Sequence, residues 1–284
     1  MNRHHPFSRR SFLGSALGPA ALAPLAAIAR SGSVPIGLEL YSVRQDLSKD
    51  LMGTVRDVAK MGYQVVEFYA PYYQWTPEYA REVRKLLDEL NVRCLSTHNG
   101  RQSFTREGMP KAIELNKILG ARYIVMAHPG RMEPGLDSWK TVAEQLSTAN
   151  EQMAREGLHA GYHNHDLEWK IVDGQLPLEI IARNTPADVM LQLDVGTALA
   201  AGSDPVEWIN RNPGRIRSMH LKDWSPDKQY RVLFGEGAGH WKDIFRAAET
   251  TGGIEYYLIE QEGSDLTPKE TAARCLAAYR KIHG

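Results

Sequence analysis

The chain has 284 residues and only two cysteines, Cys94 and Cys275. No C-x-x-C pair occurs, which excludes a cysteine-rich zinc module. Charge of one sign is also missing: 34 basic residues face 34 acidic ones. That balance gives no electrostatic reason to expect nucleic acid as a partner. Past residue 29 no apolar run is long enough to span a bilayer. The first strand-like segment leads into LELYSVRQDL, without the G-x-G-x-x-G turn that a dinucleotide-binding open sheet would place there.

What is present begins at the N-terminus. SRRSFLGSALGPAALAPLAAIA opens on Arg9 and Arg10, continues as an acid-free apolar stretch and ends in Ala27-Ile28-Ala29. The order of charged front, apolar middle and small-residue end is that of a secretory signal, and S-R-R-x-F-L resembles the twin-arginine export motif. Residues 1–29 are therefore expected to be a signal peptide, and the folded part to occupy residues 34–284. Export would place the protein in the periplasm or outside the cell. The twin-arginine route carries folded proteins, often with a cofactor inserted, which agrees with a metal protein. Removal of 1–29 takes away Arg3, Arg9 and Arg10 and no acid, leaving 31 basic and 34 acidic residues, a net charge of −3.

After residue 34 one alternation repeats. Apolar, often β-branched runs stand at 36–41, 64–69, 92–97, 122–127, 158–163, 189–194, 216–221 and 256–261. Helical stripes lie between them, among them Leu51, Val55, Val58 and Ala59, then Val83, Leu86, Leu87 and Leu90. Gly62, Asn91, Gly120, Gly157 and Gly252-Gly253 close helices before strands, and Pro77, Pro205 and Pro268 suit first helical turns. Eight strands alternating with helices over this length predict an α/β fold, a (β/α)₈ TIM barrel. On that layout Cys94 lies in the third strand and Cys275 in the last helix, too far around the ring to pair.

Active sites of such barrels form at the C-terminal ends of the strands. Five of the eight histidines beyond the signal, His98, His128, His163, His165 and His220, fall at or just past strand ends. Glu67, Asp194 and Glu260 join them, and Lys222 and Asp223 follow His220. In a strand, His163 and His165 of GYHNHDLEW share one face and Asn164 points away. Imidazoles and carboxylates converging in one cavity suit a single divalent ion such as manganese, zinc, cobalt or iron(II). Lys222 should share the face of His220, where partial burial could lower its pKa and make it a base; pairing with an acid is the alternative. Glu67, His98 and His128 are expected as substrate contacts or partners of the ligands. Glu168 is either a sugar contact or a solvated loop acid. Trp75, Trp169 and Trp224 follow strand ends, where their rings could stack on a sugar or pack loops.

IGLELYSVR, YHNHDLEW, LDVGTALAAG, IRSMHLKDW, FGEG and LIEQE resemble the xylose isomerase-like (β/α)₈ family, the sugar phosphate isomerase/epimerase group, over essentially the whole of residues 34–284. The resemblance implies a metal held by a fifth-strand Glu, a sixth-strand Asp, a seventh-strand His and an eighth-strand Glu. The last three fall on Asp194, His220 and Glu260. The fifth falls on His163, or on His165 if that residue serves instead. In the family's ketose epimerases the two metal-bound glutamates also move protons. A histidine in place of one counts against two-glutamate epimerisation and leaves metal binding intact.

The expected activity is a secreted, metal-dependent sugar isomerase or epimerase acting on an unphosphorylated keto-sugar or glycoside. His165 or Lys222 would remove the proton beside a carbonyl, with Glu260 as a further catalytic group. Expulsion of a β-substituent would make the enzyme a lyase or dehydratase. A non-catalytic sugar-binding protein and an endonuclease IV-like phosphodiesterase are the remaining readings. The net charge and the signal count against the last. The partner is a small sugar or glycoside, with no nucleic acid and no membrane insertion after signal removal. The oligomeric state is open, a homo-oligomer included.

Overall fold

The computed structural model describes Met1 and residues 34–284. The expected signal peptide lies outside the described residues. Eight parallel strands close into one barrel in sequence order: β1 (Ile36–Glu39), β2 (Val65–Phe68), β3 (Arg93–Gly100), β4 (Tyr123–His128), β5 (His159–His163), β6 (Met190–Asp194), β7 (Ser218–Leu221) and β8 (Tyr256–Ile259). Closure comes from β1 pairing with β8, with Leu38 opposite Ile259. Every expected strand is present. The third runs three residues further than its apolar stretch, and a register shift at Asn99–Gly100 lets it reach His128 of β4. The seventh starts two residues later than expected, at Ser218.

The helices begin and end where the chain's punctuation puts them. Pro77, Pro205 and Pro268 each occupy a first helical turn, where a missing N–H costs nothing. Asp50 caps the helix Leu51–Met61 by accepting from Gly53 N, a contact of about 1 kcal/mol. Gly62 ends the same helix at φ 100°, a backbone angle that a side chain would strain. Cys94 and Cys275 are both buried and unpaired, as the layout requires.

Strand alternation divides the side chains into two populations. On β2, Val66 and Phe68 pack outward against the helices, whereas Val65 points into the barrel. Tyr123, Val125, Met190, Tyr256 and Leu258 join Val65 in a small interior core. The barrel is tight there: a Cβ on Gly37 of β1 would lie 2.6 Å from Val65 O and 2.7 Å from Leu258 Cδ2. Two residues further along the same interior face the chemistry changes. Val65 gives way to Glu67, Met190 to Gln192 and then Asp194, Leu258 to Glu260, Ser218 to His220 and Gly37 to Glu39. The period of two therefore sends a ring of polar groups to the C-terminal mouth.

Candidate active site

A buried hydrogen-bonded layer separates the apolar floor from the mouth. Gln192 Nε2 donates to Glu67 Oε1 (3.0 Å) and to Ser218 Oγ (3.1 Å), and its Oε1 lies 2.7 Å from His98 Nε2. Ser96 Oγ donates to Glu67 Oε1. Glu67 Oε2 is 2.8 Å from His220 Nε2 and 3.1 Å from His98 Nε2. With both oxygens held by protein and no exposure, Glu67 supports the histidines; it does not meet a substrate, as one of its two expected roles had it. Burial alone would raise its pKa, but the neighbouring His98 and His220 outweigh that and lower it. His98, also nearly enclosed, shares this supporting role, and burial lowers its pKa.

Above this layer His163, Asp194, His220 and Glu260 each bring one donor atom within 4.8 Å of the others. They come from four consecutive strand ends, β5 to β8. His220 Nδ1 lies 3.0 Å from Glu260 Oε2, so both its ring nitrogens face carboxylates. Burial opposes a charge on this ring, yet hydrogen bonds to Glu260 and Glu67 prevail and push its pKa up to about 10. Asp194 divides its oxygens. Oδ1 accepts from Thr197 N (2.9 Å) and caps the helix Val195–Ala200, while Oδ2 is buried with no hydrogen-bond partner among the described residues. Burial pushes its carboxyl up to about 6. His163 Nδ1 is likewise buried and unpartnered, and its Nε2 stands 3.9 Å from Asp194 Oδ2. Burial drives the His163 pKa well below the usual imidazole range, so the ring is neutral and has a lone pair to offer. Two orphaned donors beside an imidazole clamped by carboxylates fit a divalent cation.

The strand ends at His163, and Asn164 points away as expected. Its Nδ2 donates to Thr197 Oγ1 (2.7 Å) and its Oδ1 accepts from Asp194 N (3.1 Å), tying β5 to β6. His165 lies past the strand, exposed in the mouth, with its ring centroid 4.8 Å from that of His163. Of the two histidines expected as ligands, the four-residue donor group includes His163 and not His165. Surrounding protein lowers its pKa to about 4, leaving it neutral.

Lys222 reaches back into the site although the strand stops at Leu221. Its Nζ is 3.7 Å from Asp194 Oδ2, 3.7 Å from Glu260 Oε2 and bonded to Glu262 Oε1. The expected lowering of its pKa is reversed. Burial disfavours the charge, but Glu260, Asp194 and Glu262 overcome it and raise the pKa well above the lysine range. Lys222 is thus an ammonium among acids. The same ammonium and His220 hold Glu260 well below the carboxylate range against its burial.

Glu168 is neither solvated nor open to a sugar. It is buried, accepting from Tyr162 Oη (2.5 Å) and from His165 N (2.8 Å), so it shapes the turn that carries His165. Trp169 packs on Trp208, and Trp75 on Phe68, Tyr72 and Tyr79, so both rings serve loop packing. Trp224 is half-buried just past β7, and His128 is exposed at the end of β4 with its ring 6.4 Å from His165.

Two residues, Glu39 and Gln192, escaped sequence reasoning. Glu39 is fully buried at the end of β1, with Oε2 accepting from Tyr41 N (2.5 Å) and Oε1 unpartnered among the described residues. Burial, with Glu260 and Glu67 close by, raises its pKa well above the carboxylate range. Its parity with Gly37 was the available signal. Gln192 shares parity with Asp194 in the same way. Asp223 takes N–H donors from Trp224, Gly235, Gly237, Gly239 and the Trp241 indole, which explains the glycine spacing of FGEGAGHW.

Fold and site together define a (β/α)₈ barrel with a buried His/Asp/Glu centre at its catalytic end. The chain belongs to the xylose isomerase-like TIM barrel family, whose profile matches residues 55–282. An inosose dehydratase of Lacticaseibacillus casei is 23% identical over 175 residues, 51% of this chain and 58% of that one. The match thus spans little more than half the length of that relative. A sugar phosphate isomerase/epimerase of Parabacteroides distasonis superposes with a TM-score of 0.74 at 28% identity, over 90% of this chain and 96% of that one. The IolI protein with a bound zinc atom shares the fold, with a TM-score of 0.67 at 17% identity over 87% and 97% of the two chains.

Proposed function

We propose that this protein is a divalent-metal-dependent enzyme that removes a proton beside the carbonyl of an unphosphorylated keto-sugar or keto-glycoside. The observation that carries this reading is the convergence of His163, Asp194, His220 and Glu260, with Asp194 Oδ2 and His163 Nδ1 both buried and unpartnered. These four residues would hold the cation, which when bound supplies Lewis acidity toward a carbonyl oxygen. Glu67 fixes the His220 ring through Nε2, leaving Nδ1 for the site. His165, neutral and open to the mouth, is the base that takes the proton. Lys222, charged and buried, donates a hydrogen bond to a substrate oxygen. His128 and Trp224 border the mouth as candidate substrate contacts.

Reprotonation at carbon would make the reaction an isomerisation or epimerisation. Elimination is a second reading, in which the neutral His165 takes the proton and the Lys222 ammonium stabilises the charge on the departing oxygen by hydrogen bonding. The dehydratase names among the relatives support the same reading. The twin-arginine-like SRRSFL motif supports action outside the cytoplasm. The decisive experiment measures metal content and then solvent-deuterium exchange beside the carbonyl of keto-glycosides. A protein that holds no divalent metal, or one that exchanges no proton when loaded, would sink the proposal.

A further inference from the structure

We propose that Tyr230 and Asp166 form a substrate-binding pair at the mouth, which receives hydroxyl groups of a polyhydroxylated ligand and so selects for a sugar that carries them. The inference deepens the proposed function and rests on the reading that substrate meets His165 and Lys222 in this mouth. Residues 222–240 separate β7 from the helix Trp241–Ala247, against about 2–6 residues usual between a strand and the next helix in such folds. Long connections of this kind commonly serve binding. The loop is fastened at its neck. The unexposed Asp223 carboxylate gathers N–H groups from both ends of it, from Trp224 and from Gly235, Gly237 and Gly239. Within it, Ser225 and Gln229 exchange two backbone bonds (3.3 and 2.7 Å), and Gln229 stands at φ 51°, in the left-handed region that a side chain enters at a cost. That turn delivers Tyr230.

Tyr230 is fixed at three points, each on or beside a residue of the site. Its carbonyl oxygen accepts from Nε2 of Gln261 (2.6 Å), which follows Glu260. Its ring centroid lies 5.1 Å from Lys222 Nζ, within cation–π reach. Its Oη donates to Oδ1 of Asp166 (2.5 Å), which follows His165. Tyr230 therefore joins the end of β8 to the turn after β5. The bond to Asp166 is exposed to water, so it adds little to stability and matters for what it presents. The phenol proton is committed to Oδ1. Asp166 Oδ2, exposed and without a protein donor among the described residues, and the Oη lone pairs remain as acceptors. Neighbouring hydroxyls of a sugar supply donors to both. An ionised phosphate supplies none and is repelled by the carboxylate, which agrees with an unphosphorylated substrate.

Calorimetric binding of methyl glucopyranoside, an inert probe with hydroxyls and no carbonyl, to the metal-loaded full chain tests the pair apart from turnover. Asp166→Asn should weaken binding about 10–100-fold and Tyr230→Phe, which keeps the ring over Lys222, about 3–10-fold. Bound metal and melting temperature should stay at wild-type values in both. One monodeoxy methyl glucoside should bind the wild type as weakly as the parent binds Asp166→Asn, and lose nothing further in that variant. With a methyl keto-glucopyranoside, both variants should raise KM more than they lower kcat. Wild-type affinity in both variants overturns the pair, as does an equal further loss for every deoxy probe in Asp166→Asn. Lost affinity that tracks lost metal or a lowered melting temperature also overturns it, as does a wild type that does not bind the probe. A wild type that binds the probe yet exchanges no proton overturns the proposed function alone, and the variants' affinities still decide the pair.

Discussion

The two halves of the barrel interior are built from the same strands yet are opposites in chemistry. The lower half holds Val65, Tyr123, Val125, Met190, Tyr256 and Leu258, packed closely enough that Gly37 has no room for a methyl group. The upper half holds Glu39, Glu67, His98, His163, Asp194, His220 and Glu260, almost all enclosed. On β2 and β8 a step of two residues separates them, Val65 from Glu67 and Leu258 from Glu260. Burial in the lower half stabilises, because apolar surface leaves water. In the upper half it costs free energy, because charges leave water, and that cost is offset only by partners or a ligand. Residues of the two halves should therefore fail in different ways when replaced.

The largest effect should come from the upper half. Asp194→Asn or Glu260→Gln should lower activity more than about a hundredfold and lower bound metal, with a smaller loss of melting temperature in the chelated protein than Met190→Ala causes. Turnover and elemental analysis check this, and a large drop in stability instead would erase the contrast between the halves. Met190→Ala should do the reverse. It should cost about 2–5 kcal/mol of stability, read from denaturant midpoints, with turnover per folded molecule near wild type.

Glu67 sits on the boundary, and Glu67→Gln should weaken metal affinity by about 10–100-fold without abolishing it, measured by chelator competition. A smaller effect concerns pH. His220 has a folded pKa of about 10, above the ordinary value of 6.5. A raised imidazole contributes stability fully below the ordinary value and loses it as pH climbs through the folded one. The chelated protein should therefore melt progressively lower between pH 7 and pH 10. His220→Gln should flatten that slope, and so should saturating metal, which competes with the proton.

Much of the fold was written in local pattern. The eight apolar runs, the helix-ending Gly62 and Asn91, and the prolines of first turns act over a few residues, and each is where the pattern put it. The site was legible as far as strand ends could carry it, which brought out Asp194, His220 and Glu260 together. What failed depended on side-chain partners that the local pattern does not place. The Lys222 pKa is set by Glu260 and Glu262, some forty residues on. Glu168 is buried because Tyr162 and His165 fold over it within one turn. Glu39 sits in a short run whose apolar flanks hid it.

Asn164 has a consequence for how such a centre could be rebuilt. It staples the end of β5 to the Asp194 backbone and to Thr197, so the spacing between these strand ends does not depend on the residue at 163. Position 163 is thereby an exchangeable socket. Its donor can change from oxygen to nitrogen, and with it the metal preferred and the proton carried, while Asp194 stays where it is.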